Sequence, residues 1–232
     1  MDLMLLGYEN VFTILLFIIG IVLATWAQNK VTSTYKRTKK IANENKISGV
    51  EVARKILDSN NLNKVYVTSV KGNLTDHYDP SRKVVRLSND IFNGTSIASV
   101  AVAAHECGHA IQDKENYIFM KIRSFLAPIV NFITYLGYFA LIISLIGGMT
   151  GYIKVSILII MATLLFQVIT LPVELDASKR ALKELERLKL VSPSEKIKVK
   201  DMLSAAAMTY VASVISSIIA LLRLIIMLGN DR

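Results

Sequence analysis

The chain has 232 residues, of which 53% are hydrophobic and 19% are charged, with a mean hydropathy of +0.45 and a formal net charge of +9. This hydrophobicity excludes intrinsic disorder. The shortage of charged residues argues against an ordinary soluble domain, in which about a quarter of the residues are charged. A single cysteine, Cys107, excludes a secreted domain held together by internal disulfides.

Four stretches lack Asp, Glu, Lys and Arg: Asn10–Asn29, Ser124–Ile153, Val155–Val173 and Met202–Leu222. About 20 apolar residues in a helix cross a hydrocarbon core about 30 Å thick. The polar remainder of the chain is too small to bury four such stretches in a soluble core. We therefore predict four transmembrane helices. The first is expected to be an uncleaved span, because a signal peptide would have a basic leader and a shorter apolar run.

The basic residues are concentrated in residues 29–124 and 174–204, which carry 24 of the 27 Lys and Arg. Both blocks lie on one side of the membrane if the spans alternate in direction. The positive-inside rule then predicts a multi-pass protein of the cell membrane, with both blocks in the cytoplasm and both termini outside. The positive charge is thus explained by the orientation of the chain in the lipid bilayer. No nucleic-acid partner is expected, because no recognition motif accompanies the charge.

The first basic block has the signals of a small α+β unit. Its predicted elements are a helix after the capping box Ser48-Gly-Val-Glu51, strands over Val65–Val70 and Lys83–Ser88, and a helix from Thr95 or Ser96 to about Gln112. In the second block, Pro172 is expected where the third span ends, close to the start of a new helix.

The predicted fold is therefore a mainly α membrane protein with four transmembrane helices and a small cytoplasmic α+β block. Five segments follow: 1–28, the first transmembrane helix; 29–124, the cytoplasmic α+β block; 125–173, a transmembrane hairpin; 174–204, a cytoplasmic helical segment; and 205–232, the last transmembrane helix with a short tail.

The sequence His105-Glu-Cys-Gly-His109 is an HExxH motif. Residues i and i+4 share one face of a helix, so the two imidazoles can bind one Zn²⁺. Glu106 lies about 100° around the helix from His105 and is placed to act as a general base instead of a ligand. The surrounding helix is apolar nearly all round, which predicts that it is buried. A bound metal would offset the free-energy cost of burying two histidines and a glutamate there.

A catalytic zinc site needs a third protein ligand and an open fourth position. Glu115 lies six residues after His109, where an extended HExxHxxGxxH pattern has its third ligand, but Gln112 replaces the glycine of that pattern. Glu174 is the second candidate. The topology favours it, because the hairpin between His109 and Glu174 returns the chain to the same side of the membrane.

These residues predict metal-assisted peptide hydrolysis, in which zinc polarises the scissile carbonyl and lowers the pKa of water. Glu106 would take the proton of the attacking water and pass it to the leaving amine. An oxyanion donor is also needed; His77 is a candidate, with Tyr78 and Tyr210 as alternatives. The strand over Lys83–Ser88 either binds the substrate by strand addition or is an ordinary hairpin strand.

The HECGH motif, a membrane hairpin and then Glu174-Leu-Asp-Ala-Ser-Lys-Arg-Ala181 together resemble the YugP-type membrane zinc metallopeptidases, the neutral zinc metallopeptidase family. The chain is more distantly similar to gluzincins such as the HtpX heat-shock protease and the CAAX prenyl proteases. The resemblance covers nearly the whole chain and implies a zincin-like block around the HExxH helix. It implies His105, His109 and Glu174 as the zinc ligands, with Glu106 as base and acid.

The distant gluzincins usually have Glu-x-x-Ala-Asp, in which the aspartate supports a ligand histidine. In this chain Ser178 stands at the aspartate position, and Asp176 lies two residues after Glu174. The resemblance therefore implies that Ser178 or Asp176 supports the zinc ligands.

The predicted function is a membrane-embedded zinc endopeptidase that acts on protein or peptide substrates at the cytoplasmic face. One alternative is a non-catalytic scaffold with a structural zinc, which would be expected to fill the fourth position with Cys or His. Cys107 is badly placed for that and is expected to be a packing residue. A metal-handling membrane protein would need polar residues deep within several spans, and few are present. Arg223 is expected either to reach the outer interface or to be a functional charge within the membrane.

Overall fold

A computed structural model of the chain describes residues 2–72, 74–146 and 152–230. Residues 147–151 of the predicted hairpin, Asn73, and residues 1, 231 and 232 lie outside the described residues. The elements in chain order are α1 (Asp2–Lys39), α2 (Gly49–Ser59), β1 (Tyr66–Val70), β2 (His77–Asp79), β3 (Val84–Ser88), α3 (Asn89–Phe92), α4 (Ile97–Lys114), α5 (Ile118–Ile146), α6 (Tyr152–Arg187) and α7 (Pro193–Asn230).

Four of the described helices, α1, α5, α6 and α7, are long and apolar enough to cross a membrane, over Val11–Lys39, Ile118–Ala140, Lys154–Arg187 and Pro193–Leu228. Many of their large apolar side chains are exposed in the isolated chain; Phe132 and Leu158, for example, are each 67% exposed. Exposed apolar surface of this extent calls for an apolar surrounding such as lipid. The prediction of a mainly α protein with four potential membrane-spanning helices is confirmed.

The prediction that a new helix starts after Pro172 is wrong. Helix α6 runs from Tyr152 to Arg187 and contains Pro172 in its interior. A proline removes one backbone hydrogen bond and can bend a helix, but a long apolar helix tolerates this loss without ending. Glu174 therefore lies inside a continuous helix, not in the first turn of a new one.

The described residues form two compact units. The described residues of one unit fall within Met1–Gln28, Ile122–Thr170 and Thr209–Arg232, and those of the other fall within Asn29–Lys121 and Leu171–Met208. We call them the helical unit and the mixed unit, because the mixed unit contains the sheet together with α2, α3 and α4. The boundaries of the five predicted segments stay predictions.

Local capping signals start two helices of the mixed unit. At α2, the Ser48 amide donates to the Glu51 carboxylate at 2.7 Å and the Glu51 amide donates to the Ser48 hydroxyl at 3.4 Å, which completes the predicted capping box. At α4, the hydroxyl of Ser96 accepts a hydrogen bond from the Ser99 amide at 3.1 Å. Of the two predicted caps, Ser96 is therefore the one used, and α4 continues to Lys114.

The three strands form one sheet in the order β1-β3-β2, with β3 parallel to β1 and antiparallel to β2. The predicted strands over Val65–Val70 and Lys83–Ser88 are confirmed as β1 and β3. Strand β2 was not predicted, because a strand of three residues is too short to show an alternating pattern.

Strand β3 is paired along both edges, with β1 on one side and β2 on the other. A substrate strand cannot add to it, so the option that Lys83–Ser88 binds substrate in this way is wrong. Strand β2 lies at the edge of the sheet, and no described strand pairs with its outer side.

Helix α4 lies in the core of the mixed unit, as its composition predicts. Val100, Ala104 and Cys107 on α4 have no exposed surface, and neither do Val52 and Ile56 of α2. These residues belong to one hydrophobic cluster. The HExxH residues are thus carried on a helix that is held firmly by its neighbours.

Candidate metal centre

Helices α4 and α6 bring three predicted site residues together. His105 and His109 lie one turn apart on α4, with ring centroids 4.8 Å apart and ring planes at 83°. The Glu174 Oε2 atom of α6 lies 3.2 Å from His105 Nε2 and 3.6 Å from His109 Nε2. One possible ligand atom from each of the three residues lies within 4.8 Å of the others, and the group is largely buried.

Gly108 allows the backbones of α4 and α6 to touch at this site. A Cβ atom on Gly108 would lie 2.5 Å from the carbonyl oxygen of Ala177 and 3.2 Å from its Cα. Backbone atoms cannot yield to such an overlap as a flexible side chain can. Gly108 thus permits a close approach of the two helices, which brings the Glu174 carboxylate within reach of both imidazoles.

Gln112 fixes which nitrogen of His109 faces the site. Its Nε2 group donates to the Val173 carbonyl at 2.8 Å and to Asp176 Oδ2 at 2.9 Å. Both partners are oxygen acceptors, so the amide oxygen of Gln112 must be the atom 3.0 Å from His109 Nδ1. His109 therefore carries its proton on Nδ1, and the lone pair of Nε2 points towards Glu174. This is the tautomer that a metal site requires.

Ser178 and Asp176 both lie next to the predicted ligands, although in different ways. The Ser178 hydroxyl contacts His105 Nδ1 at 3.3 Å. Asp176 does not contact a histidine directly; its carboxylate accepts a hydrogen bond from Gln112, which in turn contacts His109. Their supporting roles stay predictions, with the two residues serving different histidines.

Sequence reasoning missed the role of Gln112. The available signal was its spacing, since Gln112 follows His109 by three residues and so lies on the same helix face. That spacing does not show which acceptors the amide would find on α6, because these come from more than 60 residues further along the chain.

Replacing Gln112 by alanine is expected to weaken zinc binding by about 10- to 100-fold, the usual effect of removing a residue that orients a ligand histidine. The measurement is a zinc titration of the purified protein against a competing chelator. The control is Lys114→Ala. Lys114 lies two residues further along α4 and its side chain is exposed, so this variant should leave the zinc affinity unchanged. Equal zinc affinity in Gln112→Ala and wild type would show that Gln112 does not orient His109.

Glu106 is 7% exposed and lies beside the three-residue cluster without belonging to it. Burial raises the pKa of its carboxyl to about 7. His105 opposes this shift, Glu174 adds to it, and the backbone amide of Tyr78 on β2 lowers the pKa. A carboxyl that titrates near neutral pH is well matched to accepting and returning a proton.

Glu115, the alternative third ligand, is not brought into the cluster. It is the C-cap residue of α4, and its carboxylate accepts a hydrogen bond from Arg180 Nη1 at 2.5 Å. Arg180 also donates through Nε to Asp176 at 2.5 Å. Glu115 thus takes part in an ion-pair network at the margin of the site.

The three candidate oxyanion donors are placed differently. Both ring nitrogens of His77 have partners outside the cluster, since Nδ1 lies 2.8 Å from the Thr75 carbonyl and Nε2 lies 3.3 Å from Arg86 Nη1. The Tyr78 hydroxyl donates to Asp113 at 2.6 Å. Tyr210 lies in the helical unit. None of the three belongs to the cluster, and an oxyanion role for His77 stays a prediction.

Cys107 lies between the two histidines in sequence but not in space. Its Sγ atom is buried and lies 3.6 Å from the Ala53 carbonyl oxygen. Burial raises the pKa of the thiol, which makes it a poor nucleophile and a poor ligand. Cys107 is not part of the metal-ligand cluster.

The donor set suits zinc. Two imidazoles and a carboxylate converge, both histidines have their Nδ1 atoms engaged, and their Nε2 atoms face one carboxylate. This is the combination of protein ligands found in catalytic zinc sites that keep a fourth position open.

Comparison with known proteins identifies the family. A family model described as "putative neutral zinc metallopeptidase" matches residues 13–229, so the chain belongs to this family. The chain is also 40% identical over 219 residues to a protein of Bacillus subtilis (strain 168) named "putative membrane protease YugP", with 94% of this chain and 97% of that protein covered. No solved structure matches the chain. The family implies Zn²⁺ as the cofactor, in agreement with the donor set.

Proposed function

We propose that the chain is a membrane-embedded, zinc-dependent endopeptidase that hydrolyses peptide bonds at the cytoplasmic face of the membrane. The observation that carries the proposal is the buried convergence of His105, His109 and Glu174, with the Glu106 carboxyl beside them. His105, His109 and Glu174 would hold the zinc. The HExxH…Glu arrangement is that of a gluzincin.

Zinc, when bound, supplies Lewis-acid polarisation of the scissile carbonyl and lowers the pKa of water. Glu106 takes a proton from the attacking water on its carboxylate and then gives that proton to the leaving amine. The burial that raises the Glu106 pKa to about 7 makes the carboxyl able to do both near neutral pH. Gln112 and Ser178 hold the two imidazoles in orientation throughout.

The substrate is expected to bind along β2 in an extended conformation. This strand lies at the edge of the sheet, and the backbone amide of Tyr78 within it acts on the Glu106 carboxyl. A peptide added to this edge would form main-chain hydrogen bonds and present its backbone beside the general base. Main-chain hydrogen bonds depend little on the identity of the side chains, so we expect broad specificity for unfolded segments.

The cytoplasmic orientation rests on charge. Residues 29–124 and 174–204 hold 24 of the 27 Lys and Arg, and segments of this kind are retained in the cytoplasm. Both termini would then lie outside.

Removing the metal tests the function. Purified protein treated with a strong chelator is expected to lose cleavage of an unstructured polypeptide, and added Zn²⁺ should restore it, whereas Mg²⁺ should not. Mg²⁺ is the matched control because it prefers oxygen ligands to imidazole. Cleavage that persists after complete zinc removal would contradict the proposal. A zinc-loaded, folded protein without cleavage would instead support a structural zinc.

A further inference from the structure

Arg223 of α7 is a charged residue within an otherwise apolar part of the helical unit. Its guanidinium carbon lies 4.8 Å from the centre of the Phe17 ring of α1. The Nε atom is buried and has no hydrogen-bond partner among the described residues. A charge inside a membrane-spanning helix is costly and normally has a partner or a function. Arg223 therefore calls for an anion.

An apolar groove lies beside this guanidinium. It has a volume of about 270 Å³, and its lining includes Phe17, Gly20 and Ala24 of α1 and Ser216, Ala220 and Arg223 of α7. Two of these lining residues link the helices, since the Ser216 hydroxyl donates a hydrogen bond to the Gly20 carbonyl at 3.3 Å. A Cβ atom on Gly20 would meet no atom within 4 Å, so the groove is open at that point.

We propose that this groove binds one anionic phospholipid, with the phosphate on Arg223 and one acyl chain along the wall at Gly20. A guanidinium donates two parallel hydrogen bonds to a phosphate, which would give the unpartnered Nε atom an acceptor. Helix α7 continues for seven residues beyond Arg223 to Asn230, or about 10 Å. An arginine side chain about 10 Å from the end of a membrane-spanning helix can extend towards the headgroup layer.

The size of the groove favours a lipid over a peptide. A helix with its side chains is about 10 Å across, and a groove of about 270 Å³ is too small to seat one. A single acyl chain is narrow and apolar enough to follow the α1 wall. The lining contains one cation, Arg223, and is otherwise mainly apolar, which matches the charge distribution of an anionic phospholipid.

Native mass spectrometry of the full-length protein in detergent tests the site. Dioleoyl phosphatidylglycerol and dioleoyl phosphatidylcholine, which differ only in headgroup, are offered at equal concentration. Wild type is expected to retain one phosphatidylglycerol in preference to phosphatidylcholine by about tenfold. Arg223→Gln should lose this preference, and Arg223→Lys should keep part of it. Lys154→Gln removes an exposed charge of the helical unit outside the groove and should behave like wild type.

A second variant separates the acyl-chain contact from the charge. Gly20→Leu is expected to fill the open groove without a clash and to reduce retention of both lipids. Soluble glycerol phosphate should not displace the bound lipid, because it lacks the acyl chain. Equal phosphatidylglycerol retention in wild type and Arg223→Gln would overturn the proposal, as would displacement by glycerol phosphate alone or recovery of a peptide in place of the lipid.

Discussion

Glu106→Gln is expected to reduce peptide cleavage by about 10²- to 10⁴-fold, the usual contribution of a general base, while zinc remains bound. The amide keeps the size of the carboxyl but cannot take a proton from water. The measurement is the cleavage rate of an unstructured polypeptide by zinc-loaded protein, with zinc content determined on the same sample. Glu186→Gln, which alters an exposed carboxylate of α6, is the control and should retain full activity. Wild-type cleavage by Glu106→Gln would overturn the proposed mechanism.

The same substitution, although it reduces cleavage, is expected to increase the stability of the metal-free protein. Burial raises the pKa of Glu106 from 4.5 to about 7, so folding favours the protonated carboxyl. The contribution of the Glu106 carboxyl to the stability of the folded protein is therefore full below about pH 4.5, and it is lost as the pH rises through about 7. Metal-free Glu106→Gln should be more stable than wild type by up to about 3 kcal/mol at pH 8, and similar to it at pH 4. Thermal unfolding at the two pH values measures the difference.

Glu174→Ala is expected to lower zinc affinity by more than the 10- to 100-fold typical of losing a supporting residue, and to abolish cleavage with it. The reason is geometric, since Glu174 Oε2 lies 3.2 Å from His105 Nε2 and 3.6 Å from His109 Nε2. Zinc content after purification and a chelator titration measure the loss. Without its carboxylate, only the two imidazoles of the three-residue cluster would remain.

Glu115→Ala is the matched control for that experiment. Glu115 is the other acidic residue that the sequence offers as third ligand, and it pairs with Arg180 instead of joining the cluster. The variant should keep its zinc. Zinc lost from Glu115→Ala but retained by Glu174→Ala would reverse the assignment of the third ligand.

Much of the fold could be predicted because its signals are local. The length of four uncharged stretches is enough to indicate membrane helices, and the residues of the Ser48 capping box specify a helix start over four positions. The HExxH spacing likewise places two histidines on one face of a single helix. Each of these inferences depends on residues within one helix or one turn.

The features that sequence reasoning missed depend on distant residues or on context. Strand β2 is three residues long and exists because β3 pairs with it. Pro172 is usually a local signal for a helix boundary, but its long apolar helix overrides that signal. The role of Gln112 requires two acceptors from α6. The pairing of β3 along both edges likewise depends on two other strands, β1 and β2.

The contact between Gly108 and Ala177 means that, under the proposed ligand roles, the metal site forms only after α4 and α6 have packed together. Two of the proposed ligands are synthesised together on α4, but the third arrives 65 residues after His109 and reaches them only when α6 docks. A nascent or unfolded chain therefore has the complete HExxH motif without a complete metal site. Under the proposed ligand roles, a chain that has not finished folding cannot cleave its neighbours in a crowded membrane. Bound zinc would then indicate that the chain has reached its native fold.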